Sequence, residues 1–492
     1  MAHWIGFAAD LGASNGRTVL GSFDGTKLYL RELNRFPNTP RELNGTYFWD
    51  FPRIYGEIED GLHKAIASGQ VPMTLGVDSW GVDFGLIDKH GDLIANPRHY
   101  RNAYFVKGME EVFRVIRPHD LFAQTGIQLI QINTVYQLAY LHKYRPEILE
   151  VSRHLVLFPD LVNYFLTGEL ASEFTHASTT QLFNPHLGTW DYDTIGKLGF
   201  KRDLFLPIRY PLSKLGQVRQ SITGKPVTVV NIGEHDTSSA VLAVPHRDDD
   251  HVYISSGTWS LVGVVSDQPV ITDLTMRHNF TNEGGVAGGY RLLKNVMGLW
   301  LLQEVRRQFL RSGIDYDFAG LTQLSLQEES LVSLFDPDLD EFLSPPNMID
   351  AIQAYCRRTN QIVPQTAGAI TRSVFESLVL RYRWTVERLE EILDKPLLVI
   401  HIVGGGSQNE TLCQWTADST NRVVIAGPVE ATVIGNLCAQ LIVSGELSGC
   451  EEIPQLVTDS FETKVYFPIK DRSRWEMAYS RFLRLLDEER SS

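Results

Sequence analysis

Four short turns hold the residue types that phosphate chemistry needs. Asp10, Gly12, Ala13, Ser14, Asn15 and Gly16 run into Arg17. Gly233 leads through Glu234, His235 and Asp236 to Thr237. Ser255, Ser256 and Gly257 lead to Thr258, and Gly404, Gly405 and Gly406 lead through Ser407 to Asn409. Each turn follows a short apolar run that reads as a strand. Such turns let backbone N–H groups approach phosphate oxygens with no Cβ in the way. One of them alone is ordinary strand–helix geometry, but four in one chain point to a nucleotide. The common fingerprints are missing. No G-x-x-x-x-G-K-[ST] occurs, and Asn409 stands where the third glycine of a dinucleotide motif belongs. H-E-x-x-H and C-x-x-C patterns are also absent.

The acidic residues at these turns each carry two readings. Asp10, at a strand end before a glycine turn, either holds Mg²⁺, usually through water, or bonds its own backbone as a turn former. Asp236 is either a general base for a hydroxyl or the N-cap of the helix it opens. Asp78 and Asp83 flank Trp80 and Gly81. A carboxylate and an indole beside glycine suit sugar binding, and they equally suit a strand–loop–strand with a core tryptophan.

The elements that must position these residues follow from periodicity. Apolar runs at 4–9, 17–23 and 27–36 predict three consecutive strands, and Ile54, Ile58, Leu62, Ala65 and Ile66 predict a helix over 52–67. Strands are expected at 73–77 and 82–87, mostly helix from 105 to 165 with 133–144 within it, a strand at 226–232 and a helix at 237–244. The second half opens as the first did, with strands at 251–255 and 259–265 around Gly257. Helices are expected at 294–310, 367–393 and 431–443, and strands at 397–403 and 423–426. Gly12 and Gly257 stand 245 residues apart in a chain of 492, as duplication of one α/β unit would place them. The charged stretch 245–250 is the expected crossing between domains 1–245 and 246–492, and the acidic loop 336–340 is expected to be solvated.

Composition bounds the class. The length asks for two large domains, and 43% hydrophobic residues with 21% charged exclude wholesale disorder. A net charge of −14 argues against coating nucleic acid or anionic lipid, since both need positive surfaces. It leaves room for a small anion in a local pocket. Cys356, Cys413, Cys438 and Cys450 lie far apart and read as reduced thiols. With no signal peptide pattern and no stretch near ~18 apolar residues, a soluble cytoplasmic protein is the expectation.

Four motifs together carry a resemblance. Asp10-Leu-Gly-Ala-Ser-Asn-Gly-Arg17, Val77-Asp-Ser-Trp-Gly-Val-Asp-Phe84, Ser255-Ser-Gly-Thr-Trp-Ser260 and His401-Ile-Val-Gly-Gly-Gly406 are similar to the FGGY carbohydrate kinases, almost end to end. Thr281-Asn-Glu-Gly-Gly285, Leu293-Lys-Asn-Val-Met-Gly-Leu-Trp-Leu-Leu-Gln303 and Gly427-Pro-Val-Glu-Ala431 resemble the rhamnulokinase branch of that family. The resemblance implies an actin/hexokinase-like (ribonuclease H-like) duplicated α/β fold, with ATP in the interdomain cleft. It implies Asp236 as catalytic base and Asp10 as a carboxylate near Mg²⁺. ATP contacts are implied at Gly12 to Arg17, Gly257, Thr258, Gln303 and Gly404 to Gly406. Ketose contacts are implied at Trp80, Gly81, Asp83, Arg101, His235, Asp236, Thr237 and Asn295. Asn102 departs from the aspartate of many members, and Ser407 from a cysteine. The implied reaction phosphorylates the 1-hydroxyl of L-rhamnulose. The alternatives are another ketose (L-fuculose, L-ribulose or xylulose), a degenerate kinase serving as a sugar sensor, or a non-catalytic actin-fold nucleotide-binding protein. No nucleic-acid or membrane partner is implied.

Overall fold

A computed structural model describes residues 3–245 and 250–491. The chain packs as two units. The first comprises Met1–Arg247, Val265–Leu293 and Glu430–Phe461, and the second Asp248–Val264, Lys294–Val429 and Glu462–Ser492. The sequence halves 1–245 and 246–492 are contiguous, whereas these packing units are not. Of the charged stretch expected as the crossing, residues 246–249 lie outside the described residues.

The first unit is built on a six-stranded sheet. Its strands are β1 (Trp4–Leu11), β2 (Asn15–Phe23), β3 (Leu28–Pro37), β4 (Thr74–Ser79), β5 (Ser213–Gln217) and β6 (Thr228–Asn231), in the order β5-β6-β4-β1-β2-β3. β1 pairs antiparallel with β2 and parallel with β4, and β6 pairs parallel with β4. Both faces of β1 are sealed, which is why it reads as a continuous apolar run rather than an alternating one. Helix α1 (Phe51–Ala67) has proline in its first turn and buries Ile54, Ile58, Leu62 and Ala65. Sealing the three larger side chains contributes about 2 kcal/mol each. Its Gly61 lies flat on β2, where a Cβ would stand 2.2 Å from Thr18 Oγ1.

The second unit repeats the pattern. Strands β7 (His251–Ser256) and β8 (Trp259–Ser266) form an antiparallel pair. β11 (Val399–Val403) lies parallel to β7, β12 (Val423–Ala426) lies parallel to β11, and β13 (Lys464–Tyr466) closes that edge antiparallel. The order β8-β7-β11-β12-β13 matches β2-β1-β4-β6-β5 of the first unit, direction for direction. That correspondence is the signature of a duplicated unit. β9 (Thr281–Gly284) and β10 (Tyr290–Met297) pair antiparallel as a hairpin.

Residues 105–165 are mostly helix as expected, α2 (Thr134–Tyr144) among them, with Ser152–Leu157 a strand paired with Phe84–Asp88. Two expectations change. Residues 294–310 are not one helix. The pairing of β10 claims residues up to Met297, and α4 begins at Trp300 and runs to Arg311. A Cβ on the intervening Gly298 would meet the Trp259 carbonyl carbon at 2.6 Å, so backbone approaches backbone there. The acidic loop is not solvated. Asp336 and Asp338 both reach the buried Arg381 of α5 (Ala367–Leu393), and Asp338 Oδ1 also accepts the Met297 N–H at 2.8 Å. Cys356, Cys413 and Cys438 are buried free thiols, and Cys450 is half-buried. Among the described residues no helix is long and apolar enough to cross a membrane.

Candidate active site

Register places the first carboxylates. Asp10 stands opposite Arg17 across β1–β2 and opposite Asp78 across β1–β4. Arg17 grips Asp10 Oδ2 through Nε at 2.8 Å and Nη2 at 2.7 Å, and its Nη1 pairs with Glu430. Asp78 is sealed, and its Oδ2 accepts from Asn436 Nδ2 at 2.6 Å. Burial, together with the neighbouring Asp10 and Asp236 charges, holds the Asp78 carboxyl well above the usual carboxylate range. A bridge between Ser79 and His235 draws the end of the β6 segment alongside, bringing Asp236 to the same place.

Asp236 opens helix α3 (Asp236–Leu242), whose N-cap is His235. Its Oδ1 accepts from the Thr237 N–H at 2.5 Å and the Thr237 hydroxyl at 3.1 Å, so Thr237 fixes its rotamer. The side chain keeps 27% exposure. Burial chiefly raises its pKa; the His235 ring beside it pulls the other way, and Asp10 adds to the rise. An open edge and a strengthened basicity are what a proton acceptor requires.

The phosphate-type turns are each braced. In the first, Asn38 Nδ2 donates to Gly12 O at 2.9 Å and the Asn38 N–H donates to Ser14 O at 3.0 Å. Ala13, Ser14 and Asn15 keep partial exposure while Gly16 is buried beneath Phe36. In the second unit, Gly257 O and Thr258 O accept the first N–H groups beside α4, and Gln303 lies on that helix. Gly404 has φ +82°, where a side chain is strained, and a Cβ on Gly406 would strike Ser256. Gly405 is exposed with open space around it. Asn295 sits half-buried on β10 in the second unit.

The Trp80–Asp83 loop differs in detail from its expected role. Asp83 is sealed, and its oxygens are spent on protein donors: Trp49 Nε1 at 2.6 Å, Trp80 Nε1 at 2.9 Å, the Tyr100 N–H at 3.3 Å and Gln137 Nε2 at 2.9 Å. It therefore sets an aromatic group, with the Trp49 and Trp80 rings 4.0 Å apart. Val82, a β-branched residue, is held at φ +69° by Thr179 and Thr134, a strained turn of the kind found at functional sites. Gly81 faces Thr179 and His235, with room for a Cβ only by displacing them. Arg101 is buried and lies over Tyr100. Asn102 donates from Nδ2 to two carbonyls, Tyr47 O and His99 O. A carboxylate there has no proton to give them, which explains the amide.

Sequence reasoning missed Glu283 and Arg291, which meet His235, as well as Asn436 and Gln137. Asn436 lies 358 residues from Asp78, beyond the reach of any local pattern. For Glu283 a signal existed in the Thr281–Gly285 motif.

Residues 5–243 match the FGGY family of carbohydrate kinases, N-terminal domain, and residues 252–444 match its C-terminal domain. The chain belongs to the FGGY family of carbohydrate kinases. Relatives include the rhamnulokinases of Bacteroides thetaiotaomicron (42% identical, over 97% of this chain and 98% of the relative) and Oceanobacillus iheyensis (41%, over 93% and 97%). In fold, this FGGY kinase resembles a xylulose kinase from Lactobacillus acidophilus (TM-score 0.79, 15% identity, 99% of each chain) and the Plasmodium falciparum glycerol kinase crystallised with ADP (0.77, 14%, 98% of each). The architecture is thus the actin/hexokinase-like one.

Proposed function

We propose that the protein transfers the γ-phosphoryl group of ATP to the 1-hydroxyl of L-rhamnulose, with Asp236 as general base. Relatives that are rhamnulokinases, at about 40% identity over nearly their whole length, support the substrate. The observation that carries the chemistry is Asp236: open on one edge, raised in basicity and held by Thr237. Its carboxylate accepts the hydroxyl proton as the oxygen attacks in line. Phosphoryl transfer states are loose, so orientation and charge stabilisation supply most of the catalysis. Backbone amides of Gly12 to Asn15 and of Gly257 and Thr258 are the proposed phosphate donors. The glycine turn at Gly404 to Gly406 and Gln303 are the proposed nucleoside contacts.

The hard oxygen donors at Asp10 and Asp78 fit Mg²⁺, which prefers one or two carboxylates, water and substrate phosphate. Asp78 Oδ1, buried without a protein partner among the described residues, adds to that fit. When bound, the ion neutralises charge on the phosphate oxygens. Trp80, Gly81, Arg101, His235, Thr237 and Asn295 are the proposed ketose contacts, and Asp83 serves through the rings it holds. The reaction is assigned to the cytoplasm, where ATP is supplied.

Asp236→Asn is expected to lower ketose-dependent kcat by roughly 10²–10⁴-fold while leaving ATP binding intact. Turnover within tenfold of wild type removes Asp236 from the role of base. Coupled ADP release across a ketose panel, compared as kcat/KM, tests the sugar; a higher value for L-fuculose, L-ribulose or xylulose overturns that part.

A further inference from the structure

The β9–β10 hairpin sets Glu283 directly opposite Arg291. Both side chains are sealed, at 5% and 1% exposure. Arg291 Nε donates to Gly284 O at 3.0 Å, and Nη2 lies 3.2 Å from Glu283 Oε2. The same Nη2 lies 3.1 Å from His235 Nδ1, and Glu283 Oε2 lies 3.2 Å from that ring nitrogen. On the far side of the ring, His235 Nε2 is 3.4 Å from Asp236 Oδ1. A buried ion pair, an imidazole and the proposed base thus form one continuous series.

The chemistry of the donors decides which way the ring is protonated. A guanidinium has N–H donors and no acceptor. Its contact with Nδ1 is a hydrogen bond only when Nδ1 offers its lone pair. The neutral ring then carries its proton on Nε2, the atom that faces Asp236. Glu283 alone would draw the proton to Nδ1 and invert the tautomer. With Arg291 bonded to both, the carboxylate is engaged and the ring is turned the other way.

We propose that Glu283 and Arg291 are positioning residues that hold His235 as the Nε2–H tautomer, so that His235 donates to Asp236 and aims the carboxylate at the ketose hydroxyl. This rests on the reading of Asp236 as the base. The pair moves no proton itself; it fixes where the ring keeps one.

The test joins a spectroscopic readout to a mutant cycle. In protein labelled with ¹⁵N-histidine, the His235 resonances, assigned by their loss in His235→Gln, are expected to show Nδ1 bare and Nε2 protonated. A protonated Nδ1 in the neutral ring overturns the proposal whatever the activity. Arg291→Met is expected to lower kcat about 10–100-fold, as loss of a histidine-orienting partner does, with the KM for ATP unchanged. Arg291→Lys, which keeps a cationic N–H donor group but not the planar fork, is expected to recover part of that loss. The double variant His235→Gln/Arg291→Met should be no slower than His235→Gln alone, and additive losses overturn a route through the ring. Should Arg291→Met fail to fold, Glu283→Gln/Arg291→Met leaves no lone buried charge. It is expected to show the same fall in kcat, and wild-type kcat there overturns the proposal. A wild-type protein inactive on every ketose would instead sink the kinase reading, while the resonances still decide the tautomer.

Discussion

Asp83 shows how a single residue trades ligand contact for the placement of others. Four donors converge on its carboxyl, two of them indole N–H groups with no access to water. Asp83→Ala leaves those donors unpaired. Buried unsatisfied groups cost about 1–3 kcal/mol each, so a loss of roughly 3 kcal/mol is expected in denaturant unfolding. The KM for the ketose should rise with it, because Trp80 loses its anchor. A loss under about 1 kcal/mol would show that the aromatic group stands without the carboxylate. Residue types at this site were legible in the chain, since a carboxylate and indoles beside glycine are polar and stacking groups wherever they fall. Whether the carboxylate faced sugar or tryptophan was not legible, because that depends on Trp49 and Gln137, which no local pattern joins to it.

At the scale of elements, the helix carrying Asp236 is seated on α6 (Ala431–Ser444) through a glycine. A Cβ on Gly435 would stand 1.8 Å from Ser239 O of α3. That contact is backbone, so nothing flexible can yield, and Gly435→Ala must push α3 away. Overpacking of this kind costs about 1–3 kcal/mol, and a displacement near 1 Å at the base is expected to lower kcat up to ~100-fold. Gly445 provides the control. It ends the same helix at φ +80° with open space around it. Gly445→Ala should cost about 1 kcal/mol of stability and leave kcat unchanged. Melting curves and steady-state rates on both variants check the pair, and equal kcat losses in the two would refute the seating argument. Most elements were readable from period and turn residues, including α1, α5 and α6. The exception at 294–310 is instructive: apolar residues at 293, 296 and 297 suit either period, and strand pairing with β9 settled the matter.

For the whole molecule, buried carboxyls set a pH dependence with a definite sign. Burial pushes Asp83, Glu173 and Glu376 up to about 7 each, against roughly 4 in an unfolded chain. A carboxyl raised on folding contributes its stability fully below the unfolded value and loses it as pH rises through the folded one. His99 and His176 are depressed, chiefly by burial. Their contribution is complete above about 6.5 and is lost as pH falls. Above that point only the carboxyls change, and the growing repulsion of a chain at −14 acts in the same direction. The melting temperature is therefore expected to fall between pH 6.5 and 8. Glu376→Gln should flatten that slope by an amount on the order of 1 kcal/mol. A melting temperature that climbs over this interval would contradict the assignment of these carboxyls.

The sequence by itself determined the repeated strand–turn arrangement, the glycines of the phosphate-type turns and the two aspartates at strand ends. These are local properties: side-chain period, backbone angles and turn chemistry act over a few residues and leave their mark in the order of residue types. Tertiary structure alone decided which groups those aspartates meet. Asp78 stands beside Asp10 through parallel register, Asn436 arrives from a distant helix, and Arg291 reaches His235 across a hairpin. A buried polar group must find a partner because desolvation demands one. Which partner it finds depends on packing between distant segments, and no spacing along the chain records that.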